Sequence, residues 1–150
     1  MPTRTSTAVW KGNLKEGTGR VTVDESFDGP YSFASRFEEG NGTNPEELLA
    51  GAHAACFSMA LSHALAEAGY WPKQVQTEAS AQLDKVDDGF AITRIKLETV
   101  AVVPDIGAAE FQQHAARAKT DCPVSKALAG VEIELDAALD RDRHAGNARV

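Results

Sequence analysis

The chain has 150 residues, 43% apolar and 25% charged, the size and composition of one globular domain. Its formal charge is −7 and its 15 Lys and Arg residues are scattered without a basic cluster, which argues against a nucleic-acid partner. The opening "MPTRTSTAVWKG" carries no apolar signal segment, so the expected compartment is the cytoplasm. Thiols stay reduced there, so the two cysteines, Cys56 and Cys122, are expected to be catalytic, redox-active or metal-binding rather than a structural bridge.

In chain order, two β-like runs flank Gly12 and Asn13 in "TRTSTAVWKGNLKEGTGRVTV". "YSFASRF", after an expected turn at Asp28, Gly29 and Pro30, reads as a third strand of a small N-terminal sheet. The loop "EEGNGTNPEE" ends in helix-start chemistry: Thr43 or Asn44 as N-cap, Pro45 at the first helical position, Glu46 and Glu47 in the first turn. The spacing predicts a helix to about Ala68, where Gly69 stops it. It is long and apolar enough to suggest a membrane span, but His53, Ser58, Ser62, His63 and Glu67 argue against one. A helix apolar nearly all round must be covered on all sides, and a partner chain is expected to help.

"QVQTEASAQLDKV" and "FAITRIKLETVAVV" flank Asp87, Asp88 and Gly89, a hairpin signal, and the alternation changes phase near Thr93 to Ile95, as a bulge would cause. Pro104 closes the second of these strands. "DIGAAEFQQHAARAKT" predicts a helix, "CPVSKALAG" a shorter one, and "VEIELDAAL" alternates as a last strand. Strands cluster apart from helices, so the class is α+β, with one domain over 1–139 and a loose polar tail over 140–150.

The two thiols differ in setting. Cys56 lies twelve residues beyond Asn44, roughly 18 Å along the helix, too far for the helix dipole to stabilise a thiolate. A reactive Cys56 therefore needs a cation from elsewhere in the fold, and a guanidinium suits a dry pocket best. In "DCPVSKAL", Cys122 sits at the N-cap or first-turn edge of a short helix opened by Pro123, where a thiolate forms more easily. Such a group suits a partner that attacks a sulfenic acid and later leaves on reduction, so Cys56 is expected to meet an oxidant and Cys122 to resolve it.

Taken together, "RFEEGNGTNPEELLAGAHAACFSMAL", "LDKVDDGFAITRIKLE" and "AKTDCPVSKAL" resemble the OsmC/Ohr family of thiol peroxidases, on the osmotically inducible OsmC branch, over about Thr3 to Leu139. The resemblance implies an intertwined homodimer in which β-sheets wrap central helices, acting on organic hydroperoxides and less efficiently on hydrogen peroxide. It implies Cys56 of "AACF" as the peroxidatic cysteine and Cys122 of "CPVS" as the resolving one, joined in a disulfide. Arg36 of "SRF" would be the activating arginine and Glu46 of "PEEL" the carboxylate that orients it. It implies further that a dithiol such as a dihydrolipoyl group resets the pair, and that no metal or organic cofactor is required. One Arg36 cannot easily reach both Glu46 and Cys56 of the same straight helix, since ten residues span roughly 15 Å. A composite site is therefore expected, with Cys56 from one chain and Glu46, with Arg36, from the other.

Other readings use the same residues. His53, Cys56 and His63 can share a helix face and, with Cys122, make a four-ligand zinc set, so the alternative function is a non-enzymatic zinc- or small-ligand-binding dimer; the spacing, however, matches none expected of zinc motifs. A Cys-His hydrolase lacks an evident Asn or Asp to orient the base. The plainer account of His53 and His63 is that they are helix residues with hydrogen-bond partners at a subunit boundary.

Overall fold

The structure, a computed structural model, describes residues 1–140, which fall into two compact units that divide after Leu48. Residues 141–150, almost all of the expected tail, lie outside the described residues. Asp140, expected to begin that tail, still donates its backbone N–H to the Ala101 carbonyl at 2.8 Å.

The first unit is an antiparallel sheet in the order β1-β2-β3, formed by β1 (Thr7–Lys11), β2 (Thr18–Val23) and β3 (Phe27–Tyr31). Trp10 and Tyr31 both sit opposite Gly19, and their rings meet 5.3 Å apart over it. A Cβ at Gly19 would strike both rings, which is why no larger residue fits there. The third strand lies earlier than the sequence pattern suggests. Asp28, Gly29 and Pro30 are paired strand residues, not a turn, and Pro30 is tolerated because β3 is an edge strand.

What reads as strand in "FASRF" is a short helix, α1 (Phe33–Phe37). Its cause is a capping box: Ser32 Oγ accepts the Ser35 amide at 3.1 Å and Ser35 Oγ accepts the Ser32 amide at 2.8 Å. The box decides against the strand reading. The following loop approaches Pro30 closely at Gly42, whose φ of 117° and lack of a Cβ let Thr43 N–H reach the Pro30 carbonyl at 2.9 Å.

The long helix α2 (Pro45–Glu67) starts where its capping residues place it. Asn44 Oδ1 accepts the Glu47 amide at 2.8 Å, so of the two candidates Asn44 is the cap, while the Thr43 hydroxyl donates to the Glu47 carboxylate at 2.7 Å.

The second unit contains the rest of α2, the strands β4 (Gln74–Val86), β5 (Gly89–Val102) and β6 (Glu132–Leu139), and the helices α3 (Ala108–Asp121) and α4 (Pro123–Ala127). β4 and β5 form the expected hairpin through Asp87 and Asp88, with the bulge at Thr93: the register slips there so that Gln82 faces Arg94 and Leu83 faces Ile92. β6 pairs with β5 in parallel, which requires a crossover, and α3 and α4 supply it.

The core of this unit joins three faces: Phe57, Leu61 and Leu65 from α2, Ile95, Leu97 and Ala101 from β5, and Phe111, Ala115 and Ala118 from α3. Each fully buried Phe or Leu contributes about 1.5–3 kcal/mol. Steps of three and four put His53, Phe57, Leu61 and Leu65 on one stripe of α2, and Phe111, Ala115, Ala118 and Cys122 on one stripe of α3. The polar tie Ser58 Oγ to Thr77 Oγ1 (2.7 Å), and Thr77 to Thr99 (3.0 Å), fixes the middle of α2 on the sheet. α2 is long and apolar enough to cross a membrane, yet one face of it is committed to this core, and Met59 on another face is exposed.

Candidate active site

Arg36 belongs to α1, not to a strand, and two bonds anchor its helix to the start of α2: Ser35 Oγ donates to the Thr43 carbonyl at 2.7 Å, and Asn44 Nδ2 donates to the Ser35 carbonyl at 3.0 Å. These ties bring Arg36 against Glu46, where Nε donates to Oε1 at 3.1 Å and Nη2 to Oε2 at 2.8 Å. The pairing is bidentate and charge-assisted, so it fixes the plane of the guanidinium as well as its position. The Glu46 carboxylate is buried in the first turn of α2, where the helix dipole favours negative charge. The guanidinium also lies 5.4 Å from the centre of the Phe37 ring.

Cys56 and Cys122 are both free thiols, and they interact side chain to side chain. Cys56 is half-buried at the edge of the α2 stripe, whereas Cys122 is fully buried. Cys122 ends α3 and caps α4, with Pro123 at the first position of α4 as the sequence suggested.

The two thiols are driven in opposite directions. Burial pushes the Cys56 thiol up, and its hydrogen bond to Cys122 adds to that, against a smaller opposing effect of the Val124 amide. Burial also works to raise Cys122. Hydrogen bonds from the Cys56 thiol, the Ser125 amide and hydroxyl, and the Val124 amide outweigh it and hold Cys122 below the ordinary thiol value. Among the described residues no cation is an influence on Cys56.

His53 is a helix residue with a hydrogen-bond partner, as expected, but not where the sequence reading put it. It is not at a subunit boundary but fully buried on the core stripe of α2, with Nε2 at 2.8 Å from Ser125 Oγ. Burial holds its imidazole below the ordinary value of 6.5, toward the neutral form. His63 is exposed, beside a groove of about 600 Å³ also lined by His114, Arg117 and Pro123. The supposed zinc set is thus divided, and among the described residues no three His, Cys, Asp or Glu side chains gather as metal ligands.

Ser125 escaped the sequence reading altogether. The signal available for it was local: it stands three residues after the Cys122 cap.

Comparison with known proteins bears on this arrangement. The family model described as OsmC-like protein matches residues 38–136. The chain is 50% identical over 131 residues to peroxiredoxin OsmC of Escherichia coli (strain K12), covering 86% of this chain and 91% of that one. It is 32% identical over 122 residues to the organic hydroperoxide resistance protein OhrB of Bacillus subtilis (strain 168), covering 79% and 88%. Among solved structures, an OsmC-like protein from Mycoplasma pneumoniae superposes with a TM-score of 0.73 at 17% identity, over 93% of this chain and 99% of that one, a likeness of fold.

Proposed function

This chain belongs to the OsmC family and is a peroxide-reducing thiol enzyme, and we propose that it reduces organic hydroperoxides, and hydrogen peroxide less efficiently, through Cys56. In this reading the Cys56 thiolate attacks the terminal oxygen of the hydroperoxide. The O–O bond breaks, the alkoxide takes up the proton that Cys56 gave up and leaves as the alcohol, and Cys56 becomes a sulfenic acid. Cys122 then attacks the oxidised sulfur, the two cysteines form a disulfide, and an external dithiol, such as a dihydrolipoyl group, restores both thiols.

The observation that carries this assignment is that two free thiols influence each other's ionisation, Cys56 half-buried and Cys122 fully buried. The oxidant meets the accessible sulfur, and the buried one waits beside it. Burial and its neighbour both oppose a thiolate at Cys56, so its activation requires a cation. Arg36 is the candidate, clamped by Glu46 so that its remaining N–H groups can donate to the peroxide oxygens as negative charge develops on the leaving alkoxide.

Glu46 and Cys56 stand ten residues apart on α2, a rise of roughly 15 Å, which favours a homodimeric composite site in which Arg36 and Glu46 of one chain serve Cys56 of the other. The exposed Met59 on α2 fits a face covered by a second copy. The test is peroxide consumption by variants: Cys122→Ser should consume one equivalent and then stall, and Cys56→Ser should consume none. Equal consumption by Cys56→Ser would refute the assignment.

A further inference from the structure

One polar group of the second unit has no place in the scheme above: the imidazole of His53, buried among apolar side chains yet 2.8 Å from Ser125. Its other nitrogen, Nδ1, is buried with no hydrogen-bond partner among the described residues. Hydrogen-bond accounting then assigns the tautomer. A buried N–H without an acceptor is rarer and costlier than a buried lone pair without a donor, so the proton sits on Nε2 and Nδ1 carries the lone pair.

The direction of the next bond follows. Nε2–H donates to Ser125 Oγ, which is thereby the acceptor in that contact, and the hydroxyl hydrogen of Ser125 is left to turn to its other neighbour. That neighbour is Cys122, three residues earlier at the cap of α4, the group whose thiol Ser125 favours in its charged form.

We infer that His53 and Ser125 form a line of hydrogen-bond donors that holds and aims the Cys122 sulfur for attack on oxidised Cys56, with His53 as a buried positioning residue. The inference rests on the resolving role proposed for Cys122. In the step concerned, the Cys122 sulfur attacks the Cys56 sulfur, an S–S bond forms and the S–O bond of the sulfenic acid breaks. The departing hydroxide combines with the proton given up by Cys122 and leaves as water. Cys122 is oxidised as Cys56 is reduced, so no oxidant beyond the hydroperoxide is consumed. The groups acting on Cys122 are the Cys56 thiol of α2 and, from α4, Ser125 and the Val124 amide; no charged side chain is among them. The donor line therefore supplies what a nearby cation would supply elsewhere, and it does so from inside the core.

Two measurements test this. In a Cys56→Ser background, the ultraviolet absorbance of the thiolate is followed against pH, which needs no peroxide. In the otherwise wild-type chain, rapid mixing with cumene hydroperoxide separates Cys56 oxidation from disulfide formation. Ser125→Ala and His53→Leu should each raise the apparent Cys122 pKa and slow disulfide formation roughly 10- to 100-fold relative to Cys56 oxidation, the worth of a hydrogen bond to a charged group. His53→Gln, whose amide N–H can stand in for Nε2–H, should recover most of the loss. Unchanged Cys122 titration in both Ser125→Ala and His53→Leu would overturn the inference. So would His53→Gln as slow as His53→Leu, because the ring would then act by carrying a proton. If the wild-type chain forms no Cys56–Cys122 disulfide, the resolving role itself falls, while the titration still decides whether the donor line exists.

Discussion

Arg36 and Glu46 meet side-on, through Nε and Nη2, and the carboxylate is almost enclosed while the guanidinium side chain keeps 34% of its surface. The buried member is the one that holds and the more open member is the one that can act. Among the described residues Nη1 has no hydrogen-bond partner, and in the proposed mechanism it is the donor that a hydroperoxide meets. Arg36→Ala should slow Cys56 oxidation about 100- to 1,000-fold, the usual loss when one preorganised donor to a developing oxyanion is removed. Arg36→Lys should recover little, because a point charge cannot hold Glu46 bidentately and still donate outward. Single-turnover thiol loss measures this, and a normal rate in Arg36→Ala would remove the residue from the mechanism.

The placement of Arg36 depends on the capping box of a five-residue helix. Ser32→Ala deletes one half of that box, a local loss of about 1 kcal/mol. Cys56 oxidation should slow while the melting temperature changes little and the titration of Cys122 does not move. A rate equal to wild type would mean that the ties from Ser35 and Asn44 suffice to hold the arginine.

Stability should fall on the acid side through His53. Burial holds its folded-state pKa below the ordinary 6.5 of the unfolded chain, so the unfolded state binds more protons as pH falls. The contribution is fully present above about pH 6.5 and is lost as pH drops below it toward the folded value. Urea unfolding between pH 7 and pH 5, values chosen to bracket the ordinary histidine range of about 6.5, should show a decline in wild type that is shallower in His53→Gln. Parallel declines in the two proteins would assign the acid loss to other groups.

The composite arrangement is open to complementation. Inactive Cys56→Ser and inactive Glu46→Ala, mixed under conditions of subunit exchange, should give heterodimers with one intact constellation and recover activity. If mass analysis confirms exchange and no activity returns, the site lies within one chain.

Most of the secondary structure was legible because its signals are local. Asn44, Pro45 and two glutamates mark the start of α2, Asp87 and Asp88 turn a hairpin, and the slipped alternation at Thr93 marks a bulge. Cys122 as a cap could be read from Pro123 beside it. The misplaced element was the one that carries Arg36: "YSFASRF" reads as a strand, and the serine-to-serine capping box decided for helix. His53 stood in plain view on a 3–4 spaced stripe with Phe57, Leu61 and Leu65, but its partner is 72 residues away in sequence, and no periodicity points to Ser125. Pairings of this kind come from packing α4 against α2, which only the folded chain reveals.

The most direct test of the thiol cycle is peptide mass mapping, without reductant, after one equivalent of cumene hydroperoxide. The wild-type chain should yield a single cross-linked pair containing Cys56 and Cys122, and Cys122→Ser should instead carry one added oxygen on Cys56. Oxidation found first on Cys122, or an oxidised Cys56 that never joins Cys122 in the wild-type chain, would contradict the account.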